Sequence, residues 1–464
     1  MSTIQPVVVV NIVGLTPVLA ALGPRLREFA QAGALRPLAG VVPAVTLSAQ
    51  ASMLTGVAPN VHGVVGNGWY RKETGEVRFW VQARTQLRVP TFYEIARERA
   101  ASRDVAFSCA KLFWWFNQGA AVDVSVTPKP HYGADGSKEF DIQSIPAELG
   151  KSIEDRIGKF PFSAFWGPRA GIASSRWIAQ ASAIVIDEKR PPLAMIYLPH
   201  LDYELQRKGP GGCDLTKVVG EVDECFGLVL DAARRQGGKV MVVSEYGIGD
   251  VKSAVVPNVA MRRAGLLAVR DGPFGETIDM HASRAFAVCD HQLAHVYVRD
   301  ARDIPATRKL LEGLRGVARV LDRGEQRELS LDDGRSGDLV ALSTPESWFA
   351  YPYWLDAANA PDFARTVAIH AKPGYDPCEL FIDPNLKLPL FKVTQIMVKK
   401  ALGLRYLFDV IPLDPDLVRG SHGLAAIHPE EGPVLICDAG VRMPANPRML
   451  DIKDIVLETM GLGE

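Results

Sequence analysis

Residues 215–247 read LTKVVGEVDECFGLVLDAARRQGGKVMVVSEYG, and this stretch decides the fold. Val218, Val222, Phe226, Val229 and Leu230 recur at helical spacing with charges between them, which predicts an amphipathic helix over Leu215 to Gln236. Lys239 to Val243 follows as a short apolar run without polar alternation, as expected of a strand covered on both faces of a parallel sheet. The same pairing recurs upstream, where a helical pattern over Ile172 to Ile186 precedes the apolar run Leu193 to Leu198. Val7 to Ile12 opens the chain as a third such run. Helices alternating with runs of this kind predict an α/β fold, a doubly wound and mostly parallel sheet.

The 464 residues amount to about three ordinary domains of ~150 residues, which suits a large α/β core carrying an inserted subdomain. Hydrophobic residues make up 47% and charged residues 23%, the balance of a globular enzyme and not of a disordered chain. Fifty-two basic residues against 53 acidic ones leave a net charge of −1, which argues against a surface built for a nucleic-acid polymer or an anionic membrane. No uninterrupted apolar span suggests a bilayer helix. Val7 to Val10 lacks a basic leader and meets Asn11, Gly14 and Pro17 at once, so it reads as a buried first strand and not as a signal peptide. The six cysteines (Cys109, Cys213, Cys225, Cys289, Cys378, Cys437) are scattered without a CxxC, which fits reduced thiols and a cytoplasmic location.

Beyond about residue 250 the texture changes. His295 to Val298, a helix around Ala306 to Leu314, and Ala318 to Asp322 read as a β-α-β unit, with Asp338 to Ser343 a further strand. Trp348 to Trp354 is dense in aromatics. Core-like texture returns with a strand at Val434 to Cys437 and a helix at Ile452 to Met460. The expected division is a core of residues 1–250 plus 401–464 and an inserted α+β cap of residues 251–400.

Generic motifs fail. Gly150-Lys151-Ser152 mimics the end of a P-loop, but Ile145 stands where its first glycine should be. His291 and His295 have i, i+4 spacing, yet His295 leads straight into a strand pattern. Strand ends are more informative, because ligands in an open parallel sheet gather beyond the carboxyl ends of the strands. There the sequence offers Val13-Gly14-Leu15-Thr16, a loop from Pro199 to Gln206 containing Asp202, and Ser244-Glu245-Tyr246-Gly247.

A further element begins at Thr46. Leu47 to Thr55 is rich in helix formers and Gly56 is a suitable stop, so Thr46 sits at a helix N-terminus. It is either an N-cap, worth about 1 kcal/mol, or a nucleophile or anion ligand at the positive end of the helix dipole.

These pieces resemble the alkaline phosphatase superfamily, in its nucleotide pyrophosphatase/phosphodiesterase branch and the related phosphonoacetate hydrolases. The strongest stretch is TLSAQASMLTGVAPNVHGVVGN, residues 46–67, which resembles the family's nucleophile helix and the punctuation that follows it. LDYELQRKGP (201–210) resembles the Asp-x-x-x-His loop, VVSEYGI (242–248) the Ser-Asp-His-Gly loop, and GSHG (420–423) the late metal-binding segment. The resemblance implies a hydrolase of phosphodiester, pyrophosphate or phosphonate-type bonds in a phosphorylated small molecule. It implies Thr46 as nucleophile, Asn67 as a donor to a phosphoryl oxygen, and Asp202, Gln206, Glu245 and His422 as metal ligands.

Departures from the family pattern are specific. Val13 replaces the first-strand Asp, Gln206 replaces the His of the second motif, and Glu245 and Tyr246 replace the Asp-His pair. Oxygen for imidazole shifts preference from zinc toward harder ions, so one or two divalent cations (zinc, manganese or magnesium) are expected, with His200, Glu204, His281, Asp290 and His291 as available substitutes. Asn67 is alternatively a left-handed turn residue between two glycines. Lys111, ahead of LFWWFNQG, would neutralise an anionic substrate or else snorkel from a core strand. Val13 favours the rival reading, a superfamily member without dinuclear catalysis that acts as a binding protein or phosphoryl-transfer enzyme.

Overall fold

The computed structural model describes residues 4–134, 138–387, 392, 394–396, 398–399, 402 and 407–463. A sheet of eight strands organises it. In chain order they are β1 (Val7–Ile12), β2 (Ala34–Pro37), β3 (Cys109–Leu112), β4 (Val124–Tyr132), β5 (Lys138–Ile145), β6 (Leu193–Leu198), β7 (Lys239–Val243) and, near the C-terminus, Val434–Cys437. The order across the sheet is β2, Val434–Cys437, β7, β1, β6, β3, β4, β5. The five strands from β7 to β4 are parallel, and antiparallel strands close both edges. Every residue of β1 and β6 is buried, on both sides of the pleat, which is why these runs show no polar alternation.

Two groups of helices cover the strands. One comprises α1 (Thr46–Thr55), a helix at Phe92–Ser102 and the terminal Ile452–Thr459, which touch one another. The other pairs α2 (Ile172–Lys189) with α4 (Leu215–Arg235), on either side in sequence of the short α3 (His200–Lys208). The apolar stripe of α4 is buried as its spacing requires, with Phe226 edge-to-face against Phe29 at 5.5 Å.

A second sheet is antiparallel throughout. Its strands are β8 (Ala285–Asp290), β9 (Leu293–Val298), β10 (Val317–Leu321) and β11 (Leu339–Ser343), arranged β8-β9-β11-β10. The expected β-α-β unit is therefore split. The helix Ile304–Glu312 does connect β9 to β10, but β11 lies between them, pairing antiparallel with both. Hydrogen bonding to a later strand decided that arrangement, and no local pattern reveals it. The aromatic segment from Trp348 to Trp354 begins in a short strand, Ser347–Phe349, and its five rings are buried.

Two features position the site. β1 lies between β6 and β7 with Asn11 level with Tyr197 on one side and Val243 on the other, so three strands end together. The chain passes from β1 to β2 on one side and then to β3 on the other, so the winding changes direction about β1, where a crevice opens at the strand ends. The expected loop from Pro199 to Gln206 is in fact α3, starting two residues after β6 ends. Asp202 and Gln206 consequently stand one turn apart on the same helix face.

Candidate active site

Thr46 is the first residue of α1. Val45 holds the N-cap position in extended backbone and no side chain caps from there. The cap reading of Thr46 is thus corrected: its hydroxyl is hydrogen-bonded to Tyr246 Oη at 3.1 Å, away from its own helix. The free N–H of Leu47 donates instead to Asn67 Oδ1 at 3.0 Å, a cap supplied from a separate loop. Gly56 ends the helix in the left-handed conformation (φ 71°), where a side chain would be strained.

A chain of hydrogen bonds runs on from Thr46. Tyr246 Oη donates to Asp202 Oδ1 at 3.2 Å. The phenol has one proton, so the Thr46 hydroxyl is the donor in the first link. Asp202 Oδ2 accepts from Gln206 Nε2 at 2.7 Å, and Gln206 Oε1 accepts from Tyr375 Oη at 2.8 Å. Beside this chain, Glu245 Oε1 accepts from both Asn11 and Gln50 at 2.7 Å, while Oε2 is buried without a partner. Gln50 in turn accepts the Trp115 backbone N–H.

Burial sets the charge state. Glu245 is pushed up to about 8 by desolvation, against the Gln50 and Asn11 hydrogen bonds, and is therefore a neutral acid at pH 7. Asp202 is raised to about 6 by the same cause, opposed by Gln206 and Tyr246. Desolvation lowers His422 to about 3, so it is neutral. Its Nδ1–H donates to Ala44 O at 2.7 Å, which leaves Nε2 bare, buried and 3.9 Å from Asp202 Oδ1.

Four rings close the site. Tyr246 lies on His422 at 3.5 Å between centroids, His422 on His291 at 3.6 Å, and His291 on Tyr375 at 3.9 Å. His291 gets there from the tight turn between β8 and β9, with a positive φ of 58°.

A family model for type I phosphodiesterase / nucleotide pyrophosphatase matches residues 7–376. The chain belongs to that family. As a type I phosphodiesterase / nucleotide pyrophosphatase family member it is a hydrolase, with the alkaline phosphatase-like fold. Solved structures share that fold across nearly the whole chain. Phosphonoacetate hydrolase from Sinorhizobium meliloti 1021, in complex with phosphonoformate, has a TM-score of 0.59 at 17% identity, covering 99% of this chain and 100% of that one. Murine ectonucleotide pyrophosphatase / phosphodiesterase 5 has a TM-score of 0.57 at 12% identity, covering 99% and 95%. An inactive form of the murine protein in complex with AMP has a TM-score of 0.58, again at 12% identity and 99% and 95% coverage.

Family membership implies a metal pair, and the residues of this family member do not fit one. Val13 is fully buried and apolar. The Gln206 carbonyl, the expected third ligand, is already the acceptor for Tyr375. Tyr246 would have to lose its proton to ligate, and burial raises its phenol well above the ordinary value of 10.0. Among the described residues no group of three His, Cys, Asp or Glu side chains is arranged to hold a cation.

Thr46, Asp202, Gln206, Glu245 and His422 are brought to this one centre. Asn67 adjoins it but is not a left-handed turn residue, and its Nδ2 donates to Asp290 Oδ1 at 3.0 Å. Lys111 stands apart: it is fully buried instead of snorkelling, with Nζ bonded to Phe116 O at 2.9 Å and 5.1 Å from the Tyr93 ring. His200 pairs with Glu221, and Glu204 with Arg207 and Lys208, so neither joins the chain. His281 lines an open cleft of about 450 Å³ with Arg78, Arg270 and His370.

Asn11, Gln50, His291 and Tyr375 complete the centre. Asn11 carries a sequence signal, a polar residue inside the valine run of β1. Tyr375 carries none, since its partner is 169 residues away.

Proposed function

We propose that this family member hydrolyses a phosphodiester, pyrophosphate or phosphonate-type bond in a phosphorylated small molecule, with Thr46 as the nucleophile. The observation that carries the reading is the Thr46 hydroxyl, turned off its own helix and donating to Tyr246. With its proton so engaged, a lone pair of Oγ1 is available for attack on phosphorus. As the new O–P bond forms, the bond to the leaving group breaks and its electrons depart with that group. The Thr46 proton passes to Tyr246 Oη, whose own proton passes to Asp202 Oδ1. Water then attacks phosphorus, the threonine oxygen leaves and recovers its proton by the same route, and solvent takes the proton lost by water and protonates the leaving group. Glu245, neutral, donates from Oε2 to a phosphoryl oxygen, the role of a protonated carboxylic acid kept neutral by its surroundings. Lys111 has no part in this reading. The cap of residues 251–400 would supply the contacts that select the leaving group.

Turnover of a phosphodiester, a nucleotide pyrophosphate and phosphonoacetate by wild type, Thr46→Ser and Thr46→Ala tests it. Thr46→Ala should lose at least about a thousandfold while Thr46→Ser keeps measurable activity. Equal turnover by wild type and Thr46→Ala ends the nucleophile assignment. A second reading, a member that binds such a ligand without dinuclear catalysis or transfers its phosphoryl group, is favoured by Val13. Retained ligand binding with no hydrolysis by wild type would select it.

A further inference from the structure

We infer that this centre works without a bound metal, and that the Tyr246 hydroxyl, not a cation, joins Thr46 to Asp202. Its catalytic meaning rests on the Thr46 reading above, while its geometry stands independently.

The first observation is the ring stack. Centroid separations of 3.5, 3.6 and 3.9 Å, with interplanar angles of 9°, 36° and 26°, are van der Waals contact. Nothing fits between successive faces. The rings come from Tyr246 and His422, two positions from which the family pattern would direct metal ligands, and from His291 and Tyr375, which that pattern does not include.

The second observation is the state of the oxygens. Asp202 Oδ1 and Oδ2 each accept a hydrogen bond, as does Gln206 Oε1, and Glu245 Oε1 accepts two. Glu245 Oε2, His422 Nε2 and Asn11 Oδ1 are the atoms of the centre left bare among the described residues. Catalytic zinc is held by about three protein donors, with a further open position. Of the three bare atoms, one is a neutral amide oxygen and one lies on a carboxyl already committed to Asn11 and Gln50, and no group of three His, Cys, Asp or Glu among the described residues is arranged to hold a cation. Tyr246 meanwhile occupies the space between Thr46 and Asp202, bonded to the oxygen of the one and the carboxylate of the other.

The third observation is Val13, whose buried apolar side chain removes the carboxylate from the end of β1. Asn11 from the same strand donates to Glu245 and leaves only a neutral amide oxygen, Oδ1, in place of that carboxylate.

The test is metal content by mass spectrometry after incubation with zinc, manganese and magnesium in turn, followed by desalting. Wild type should retain only trace metal, and zinc or chelator should leave its melting temperature and turnover unchanged. Stoichiometric metal that disappears in His422→Ala would overturn the inference. The converse variant carries Val13→Asp, Gln206→His, Glu245→Asp and Tyr246→His together. Once its fold is verified by circular dichroism, it should gain bound zinc, and failure to do so would show that these side chains are not what excludes the ion. The outcomes separate from those of the nucleophile test: metal-free protein indifferent to Thr46→Ala leaves this inference standing, and metal-loaded protein dependent on Thr46 leaves only the nucleophile.

Discussion

The Tyr246 hydroxyl accepts from Thr46 and donates to Asp202, so Tyr246→Phe removes two hydrogen bonds with a single oxygen. The phenylalanine ring can keep its place on His422, and the fold should survive. Turnover should fall by about 10² to 10⁴, the usual worth of a positioned proton carrier, with the melting temperature little changed. Asn67 makes a different prediction. Asn67→Ala leaves the Leu47 N–H and an Asp290 oxygen without their partners in a buried setting. The cost should be about 1–3 kcal/mol in urea unfolding. At this scale the sequence was partly legible. Thr46, Asp202, Glu245 and His422 could be picked out because strand ends and short motifs mark them. His291 was named only as one of several substitute ligands, and Gln50 and Tyr375 not at all, because each reaches the centre through a contact far along the chain.

Residues 372–379 form a strap that delivers Tyr375 to Gln206. Buried Lys372 holds it closed, with Nζ at 2.7 Å from Asp376 and 2.8 Å from Glu379. Trp166 Nε1 donates to the same Glu379. Lys372→Met keeps the volume and deletes the charge, leaving two carboxylates buried without their cation. Breaking a buried pair in this way should destabilise by about 3–5 kcal/mol, read from the denaturation midpoint. Phe226→Ala, in the stripe of α4, should cost about 3–5 kcal/mol by cavity formation. The two elements also differ in legibility. The α4 stripe is long and periodic, and its reading survives almost to the residue. The short α3 follows Pro199 directly and mixes charged with apolar residues, so it reads as a loop; the burial of Leu201 and Leu205 in the core favours the helix.

Over the whole molecule, three of the five parallel strands, β1, β6 and β7, were legible because they are almost wholly apolar, while β3 and β4, which bury Lys111, Ser125 and Thr127, and the strand order of the second sheet were not. Stability should also depend on pH in a definite sense. His62 Nδ1 accepts from the Val64 N–H, and His295 Nδ1 accepts from the Gly337 N–H, so each ring must stay neutral. Burial lowers them from 6.5 to about 3 and about 4. The unfolded chain takes up these protons below pH 6.5 and the folded chain does not, so stability is lost as the pH falls from 6.5 toward 4. Each histidine should account for roughly 3 kcal/mol by pH 4. Urea midpoints across that range should show the slope, and His295→Asn should reduce it. The four stacked rings have a consequence for how the molecule moves. Two are carried by the parts of the chain around β7 and residue 422, two by the stretch between, so they act as rivets across a seam. The protein cannot part like a clamshell without popping them, and the imidazole protons of His291 and His422, sandwiched in the ring currents of their neighbours, should resonate upfield and slide back the moment it opens.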